Sequence, residues 1–244
     1  MKKTVPYSVL ARTYDHILRH VDYQSWYDYI RAVMLKYYGH PSLIVELGCG
    51  TGRFGAKFAL DGYPIVGIDR SIDMLRVAKT RIFKSFRVFC ADIRNFSLAR
   101  PADFIFAVHD TMNYLVSPTD IMSVLGSVRE GMHEKSVFMF DLTTEYNIET
   151  NFDGRLSTYS IRGTDVSWTN SYDRARSLVR STMTFSNGDG IFVEKHLQRL
   201  YAFEEISSLL DKAGFELVAR FGDSTFLPPR EDSVMINHIV RKKA

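Results

Sequence analysis

The sequence predicts a doubly wound α/β fold around a mostly parallel, seven-stranded sheet that carries an inserted antiparallel β meander. Three observations lead there. Short apolar runs alternate with helically spaced segments from Leu43 to Asp141, the order of elements that builds a parallel sheet. The first run passes into Val45-Glu46-Leu47-Gly48-Cys49-Gly50-Thr51-Gly52, a strand followed by a glycine turn. From Arg155 to Tyr201 the periodicity drops to two and helical spacing disappears.

The elements follow in order. Val5 to Arg19 and Tyr23 to Tyr38 read as two helices. The second sets Trp26, Ile30, Val33, Met34 and Tyr37 at helical spacing, and Gly39-His40-Pro41 stops it. Strand Leu43–Leu47 leads to helix Arg53–Leu60, and strand Pro64–Ile68 to helix Ser71–Arg81, with Ser71 as N-cap. Strands Phe86–Cys90 and Asp103–Val108, helix Pro118–Met132 and strand Ser136–Asp141 come next. The meander then reads as about four strands, broken at Arg162-Gly163-Thr164, Asp173-Arg174-Ala175-Arg176 and Ser186-Asn187-Gly188-Asp189-Gly190. Asn187-Gly188 is a strong hairpin signal. Helix Phe203–Ala213, a C-terminal glycine at Gly214, and strands Phe215–Phe221 and Val234–Arg241 close the core. This divides the chain into an N-terminal helical lid (1–40), a core (41–144 and 202–244) and a β insert (145–201).

Composition narrows the class of function. With 244 residues the chain can bury a sizeable core. Its 31 Lys and Arg against 28 acidic residues leave a net charge of +3, too little to imply nucleic acid. Arg241-Lys242-Lys243 reads as a solubilising tail. Two cysteines, Cys49 and Cys90, imply no disulfide framework and read as small apolar fillers. No apolar run approaches the ~20 residues that span a membrane. Pro6, Arg12 and Asp15 interrupt any signal-peptide core behind Met1-Lys2-Lys3. No His, Cys, Asp or Glu cluster has metal-ligand spacing. The expectation is a cytoplasmic monomer or homodimer with no metal and no membrane partner.

The glycine turn points to a nucleoside cofactor. Glycines permit a tight turn and close approach of backbone to ligand, and the amides that begin the helix at Arg53 point over it. Asp69, ending the second strand, can accept hydrogen bonds from both ribose hydroxyls. Asp92, in Cys90-Ala91-Asp92-Ile93, can accept from an exocyclic amine such as that of adenine. These positions share the carboxyl edge of the sheet, where open α/β sheets bind ligands. The rival reading is a dinucleotide site, since Gly50, Gly52 and Gly55 satisfy G-x-G-x-x-G. Against it, the turn begins at Gly48, and Glu46 would repel a pyrophosphate. Glu46 suits a cationic amino-acid end or the orientation of the loop amides.

The octapeptide Val45–Gly52, with Asp69 and Asp92 at their spacing, resembles the class I S-adenosylmethionine-dependent methyltransferases. The resemblance covers Leu43 to Asp141 and the closing strands after Phe203. It implies that the methionine part of S-adenosylmethionine lies over Gly48, Gly50 and Gly52, with Glu46 and Cys49 in the same turn. It also implies that Asp69 holds the ribose, Asp92 and Ile93 the adenine, and that Arg70 and Met74 flank the base. The tyrosine-rich N-terminal stretch resembles a segment that closes over the cofactor in small-molecule members, with Tyr14-Asp15 matching a Tyr-Asp pair. The β meander resembles the insert of amino-sugar N,N-dimethyltransferases.

The loop His109-Asp110-Thr111-Met112-Asn113-Tyr114 would then flank the methyl group. A sulfonium methyl is already electrophilic, so positioning a nucleophile and excluding water matter more than a base. His109, with a near-neutral pKa, is a candidate proton acceptor, or else packs against the cofactor. Asp110 holds a substrate amine or caps the following turn. Tyr114 and Asn113 contact substrate or close the loop. Trp168, Tyr172 and Phe185 line a substrate pocket or form one packed face of the insert. The loop lacks the Asn/Asp-Pro-Pro-Tyr tetrad of methyltransferases that act on planar amino groups. The expected activity is methyl transfer to nitrogen or oxygen of a small molecule. The alternatives are modification of tRNA or another RNA, and a non-catalytic binding protein that keeps the fold.

Overall fold

The computed structural model describes residues 1–81 and 85–243. Its strands are β1 (Lys2–Thr4), β2 (Ile44–Leu47), β3 (Ile65–Asp69), β4 (Phe86–Cys90), β5 (Ala102–Ala107), β6 (Met132–Thr143), β7 (Leu156–Ile161), β8 (Thr164–Asp173), β9 (Leu178–Asn187), β10 (Gly190–Arg199), β11 (Phe215–Gly222) and β12 (Met235–Lys242). Its α-helices are α1 (Tyr14–Ile17), α2 (Tyr23–Tyr37), α3 (Arg53–Leu60), α4 (Ile72–Ala78), α5 (Pro118–Glu130), α6 (Glu145–Asn147) and α7 (Phe203–Lys212).

The core sheet runs β11-β12-β6-β5-β2-β3-β4. Its five strands from β6 to β4 are parallel, and β12 lies antiparallel between β6 and β11. All six residues of β5 are buried, because helices cover both faces of a central parallel strand. Phe104 and Phe106 pack with Ile30 and Met34 of α2 and Phe54 and Phe58 of α3. Ile105 and Ala107 pack on the other face with Val124 and Leu125 of α5 and Leu209 and Leu210 of α7. Each fully buried side chain of this size contributes about 1.5–3 kcal/mol, so these two layers hold the sheet edge that carries the site.

The second sheet has the order β1-β10-β9-β8-β7. Its last four strands are the expected meander, antiparallel throughout. Val166, Met183 and Phe185 pack on the N-terminal Leu10 and Ile17. A π-helical turn, Ile148–Phe152, joins α6 to the meander and was not anticipated.

The expected helix from Val5 to Arg19 is not formed. In its place, after β1, are a 3-10 turn at Leu10–Arg12 and the single turn of α1. The cause lies in the insert. The buried carboxylate of Glu194 on β10 accepts the backbone amides of Tyr7, Val9 and Leu10 at 2.8, 2.6 and 3.1 Å. Tyr7 also adopts φ +66°, a left-handed conformation that no α-helix contains. The second helix falls where its periodicity puts it, and Asp22 caps it by accepting the amides of Gln24 and Ser25.

Candidate active site

The carboxyl ends of β2, β3, β4 and β5 bring together most of the residues singled out by sequence. Gly48, Gly50 and Gly52 have φ of +69°, +52° and +74°, a region glycine alone enters freely. A Cβ on Gly48 would lie 2.5 Å from Thr111 Cγ2, and one on Gly50 would lie 3.2 Å from Met74 Cε. The Gly50 amide donates to Asp69 Oδ2 and the Ser71 amide to Oδ1, both at 2.8 Å. Burial raises the Asp69 carboxyl above its ordinary pKa, while these two amides and Arg70 act against the rise.

Two adjoining cavities open at this edge. The smaller, about 130 Å³, is lined by Gly48, Gly50, Asp69, Arg70, Met74, Asp92 and Ile93, and by Tyr7, Tyr14, His109 and Tyr114. Asp92 is paired with Arg94 at 2.7 Å, and Arg94 reaches on to Asp120 at 2.8 Å. The larger cavity, about 560 Å³, lies between core, N-terminal segment and insert. Trp26, Asp110, Trp168, Asn170, Met183, His196 and Gln198 line it, together with the same Tyr7, Tyr14, His109 and Tyr114.

Three residues expected at the cofactor do not line the smaller cavity. Glu46 is buried behind the turn, because every side chain of β2 faces packed helices or neighbouring strands. Burial pushes its carboxyl up to about 8, and Asp69 adds to the effect. Cys49 packs into the space left by Gly67, where a Cβ would approach Sγ to 2.8 Å. Gly52 faces the Phe86 ring, as does Gly55; added Cβ atoms would lie 2.9 and 2.4 Å from it. Of the insert aromatics, Trp168 reaches the larger cavity, whereas Phe185 is fully buried in the sheet packing and Tyr172 lies elsewhere.

The loop after β5 departs from the near-neutral pKa expected of His109, and at Asp110 it excludes the capping alternative. His109 is half-buried, with Trp26 edge-on at 5.2 Å and Tyr23 stacked at 5.9 Å. Burial, helped by nearby Arg53 and His20, depresses its pKa to about 4 instead of leaving it near neutrality. Asp110 begins the Thr111–Tyr114 turn but makes no side-chain cap. Its carboxylate lines the larger cavity with Oδ1 unpartnered, and burial raises its pKa to about 6 against a hydrogen bond from Gln198. Asn113 closes the loop by donating to Arg199 O and accepting from the Thr143 amide.

Sequence reasoning missed Glu194 and His196. Both are buried on β10, and with Gln198 they occupy alternate positions of one strand. That Glu-x-His-x-Gln alternation was the available signal: three polar residues at period two, in a strand whose intervening Lys195 and Leu197 are exposed.

Comparison with known proteins agrees with this geometry. Residues 44–134 match the methyltransferase domain family. The putative methyltransferase YqeM of Bacillus subtilis strain 168 is 27% identical over 236 residues, 93% of each chain. The crystal structure of a S-adenosylmethionine-dependent methyltransferase from Clostridium acetobutylicum ATCC 824 has TM-score 0.84 at 24% identity, covering 98% of this chain and 99% of that one. The sugar N-methyltransferase KedS8 from Streptoalloteichus sp ATCC 53650 has TM-score 0.75 at 17% identity, covering 98% and 93%. Residues 44–134 thus carry a methyltransferase domain, and the chain as a whole has the fold of these S-adenosylmethionine-dependent methyltransferases. Among the described residues, no helix is long and apolar enough to cross a membrane, and no group of three His, Cys, Asp or Glu side chains is placed to hold a metal ion.

Proposed function

We propose that this enzyme transfers the methyl group of S-adenosylmethionine to nitrogen or oxygen of a small molecule bound in the larger cavity, and that it does so in the cytoplasm as a monomer or homodimer. The observation that carries the reading is the pair of adjoining cavities with a common wall of Tyr7, Tyr14, His109 and Tyr114. The smaller cavity suits the cofactor. Positions 48 and 50 leave backbone open where a Cβ would intrude, and Asp69 retains lone pairs for ribose hydroxyls beyond its two amide bonds. Met74 and Ile93 offer apolar faces to a flat base.

When bound, the cofactor supplies the electrophilic methyl. The protein's part is to orient the acceptor, and to keep water out with a lining rich in aromatic rings. The likeness to a sugar N-methyltransferase along the whole chain supports an acceptor of small-molecule size.

Titration calorimetry tests the reading. S-adenosylmethionine and S-adenosylhomocysteine should both bind, and Asp69→Ala should weaken each about 10- to 100-fold, the loss expected for charge-assisted hydrogen bonds. Absence of binding by either in folded protein overturns it. Release of S-adenosylhomocysteine with small amines and phenols, compared with tRNA, separates a small-molecule enzyme from an RNA-modifying one. Cofactor binding with no turnover on any acceptor would point to a binding protein.

A further inference from the structure

A file of four side chains runs from the wall shared by the two cavities into the insert. Tyr7 Oη donates to Tyr114 Oη at 2.6 Å. Tyr114 Oη lies 3.1 Å from His196 Nδ1, and His196 Nε2 lies 3.2 Å from Glu194 Oε2. Glu194 is fully buried and His196 is 4% exposed.

The directions of these bonds follow from the donor inventory. Glu194 accepts three backbone amides on its two oxygens, which calls for an ionised carboxylate. Burial alone would raise its pKa, but His196 and the amides of Val9, Leu10 and Tyr7 bring it below the ordinary range. In its neutral form His196 then donates from Nε2, which leaves Nδ1 as an acceptor. Nδ1 then takes the Tyr114 hydroxyl proton, and the Tyr114 oxygen keeps a lone pair toward the cavities. Every hydrogen in the file points toward Glu194.

We propose that His196, oriented by Glu194, receives the proton that the acceptor gives up on methylation, and that Tyr114 relays it. This rests on the methyl-transfer reading above. The acceptor's nitrogen or oxygen gains the methyl carbon, and the electron pair of the broken carbon–sulfur bond stays on sulfur. The acceptor's proton passes to Tyr114 Oη as Tyr114's own proton passes to Nδ1. The product is an imidazolium hydrogen-bonded to a carboxylate, which returns its proton to solvent before the next turnover. His109 lacks such support: its polar partner is Tyr14 Oη at 3.4 Å, and aromatic rings flank it. The ionisable groups around His196 and Tyr114 are Tyr7 and Tyr14 of the N-terminal segment, Asp110 of the loop, Arg70 after β3, and Glu194.

The test uses the full chain saturated with S-adenosylhomocysteine and labelled with ¹⁵N-histidine. Imidazole nitrogen spectra are followed across the neutral pH range, and His196→Asn assigns the signal. The neutral ring should carry its proton on Nε2. Tyr114→Phe should shift the Nδ1 resonance, and Glu194→Gln the Nε2 resonance. With S-adenosylmethionine and a panel of small primary amines and phenols, kcat of His196→Asn should fall about 100-fold or more, with S-adenosylhomocysteine affinity within about threefold of wild type. Glu194→Gln should displace the acid limb of the kcat profile. A proton on Nδ1, or a His196→Asn enzyme that keeps its kcat, overturns the proposal. Failure of S-adenosylhomocysteine to bind overturns the methyl-transfer reading instead.

Discussion

Asp141 Oδ2 accepts the backbone amide of His109 at 2.7 Å, and through its other oxygen Asp141 also holds the amide of Asp110 at 3.0 Å. His109 and Asp110 both stand at φ +63°, a conformation that costs a non-glycine residue about 1–2 kcal/mol. The pair of bonds from a fully buried strand residue keeps this turn in place, and with it the two side chains that face the larger cavity.

Asp141→Asn should therefore loosen the loop. An asparagine offers one oxygen and one amino group, so one of the two backbone amides loses its acceptor and meets a donor. The expected loss is about 1–3 kcal/mol of stability in denaturant titration, with weakened S-adenosylhomocysteine binding. A change below about 0.5 kcal/mol, within the range of neutral surface substitutions, would contradict this account of the turn.

Glu46 makes stability depend on pH in a definite direction. Its folded pKa, raised to about 8 by burial, exceeds the ordinary value of 4.5. The folded state thus holds this proton more tightly than the unfolded chain. The protonated form's contribution is complete below about 4.5 and is lost as pH rises through about 8. Glu46→Gln removes the titration. Its stability should fall less than wild type's between these limits, by up to about 5 kcal/mol at the upper end. Parallel wild-type and variant curves across that window would refute the assignment.

His109 gives the opposite slope. With its folded pKa depressed to about 4 by burial, the neutral ring favours the folded state above the ordinary value of about 6.5. That contribution is lost as pH falls through about 4. Histidine NMR should show His109 neutral from about pH 5 upward. A midpoint above about 6 would restore His109 as a proton acceptor.

Gly55 tests the packing of α3 on β4. A Cβ there would sit 2.4 Å from the Phe86 ring, although position 55 is helical and alanine favours helices. Gly55→Ala should destabilise by about 1–3 kcal/mol through overpacking. Phe86→Leu in the same chain should recover part of that loss relative to the sum of the single changes. Simple additivity would show that the two sites do not press on each other.

The α/β core was legible because its signals are local. Apolar runs of strand length, the Ser71 cap and the glycine turn each depend on residues within a few positions of one another. The stretch from Val5 to Arg19 misled because a residue nearly 190 positions away decides it: Glu194 draws the amides of Tyr7, Val9 and Leu10 out of any helical ladder. The near-neutral pKa expected for His109 failed for the same reason, since Trp26 and Tyr23 arrive from another helix. Asp69, Met74 and Ile93 reached the expected cavity because strand ends and the helix that follows fix their direction. Glu46 did not, since it lies inside the strand.

The glycines between positions 48 and 55 answer to different neighbours. Gly48 and Gly50 stand over the smaller cavity, with Thr111 and Met74 beside them, while Gly55 is kept small by one phenyl ring. Among relatives, residue 55 should be free to grow wherever residue 86 shrinks. Residues 48 and 50 should stay glycine regardless, since their backbone conformation sets them. A sequence pattern that requires every glycine in the stretch would therefore reject enzymes that still hold the same nucleoside, and the covariation of 55 with 86 would identify them.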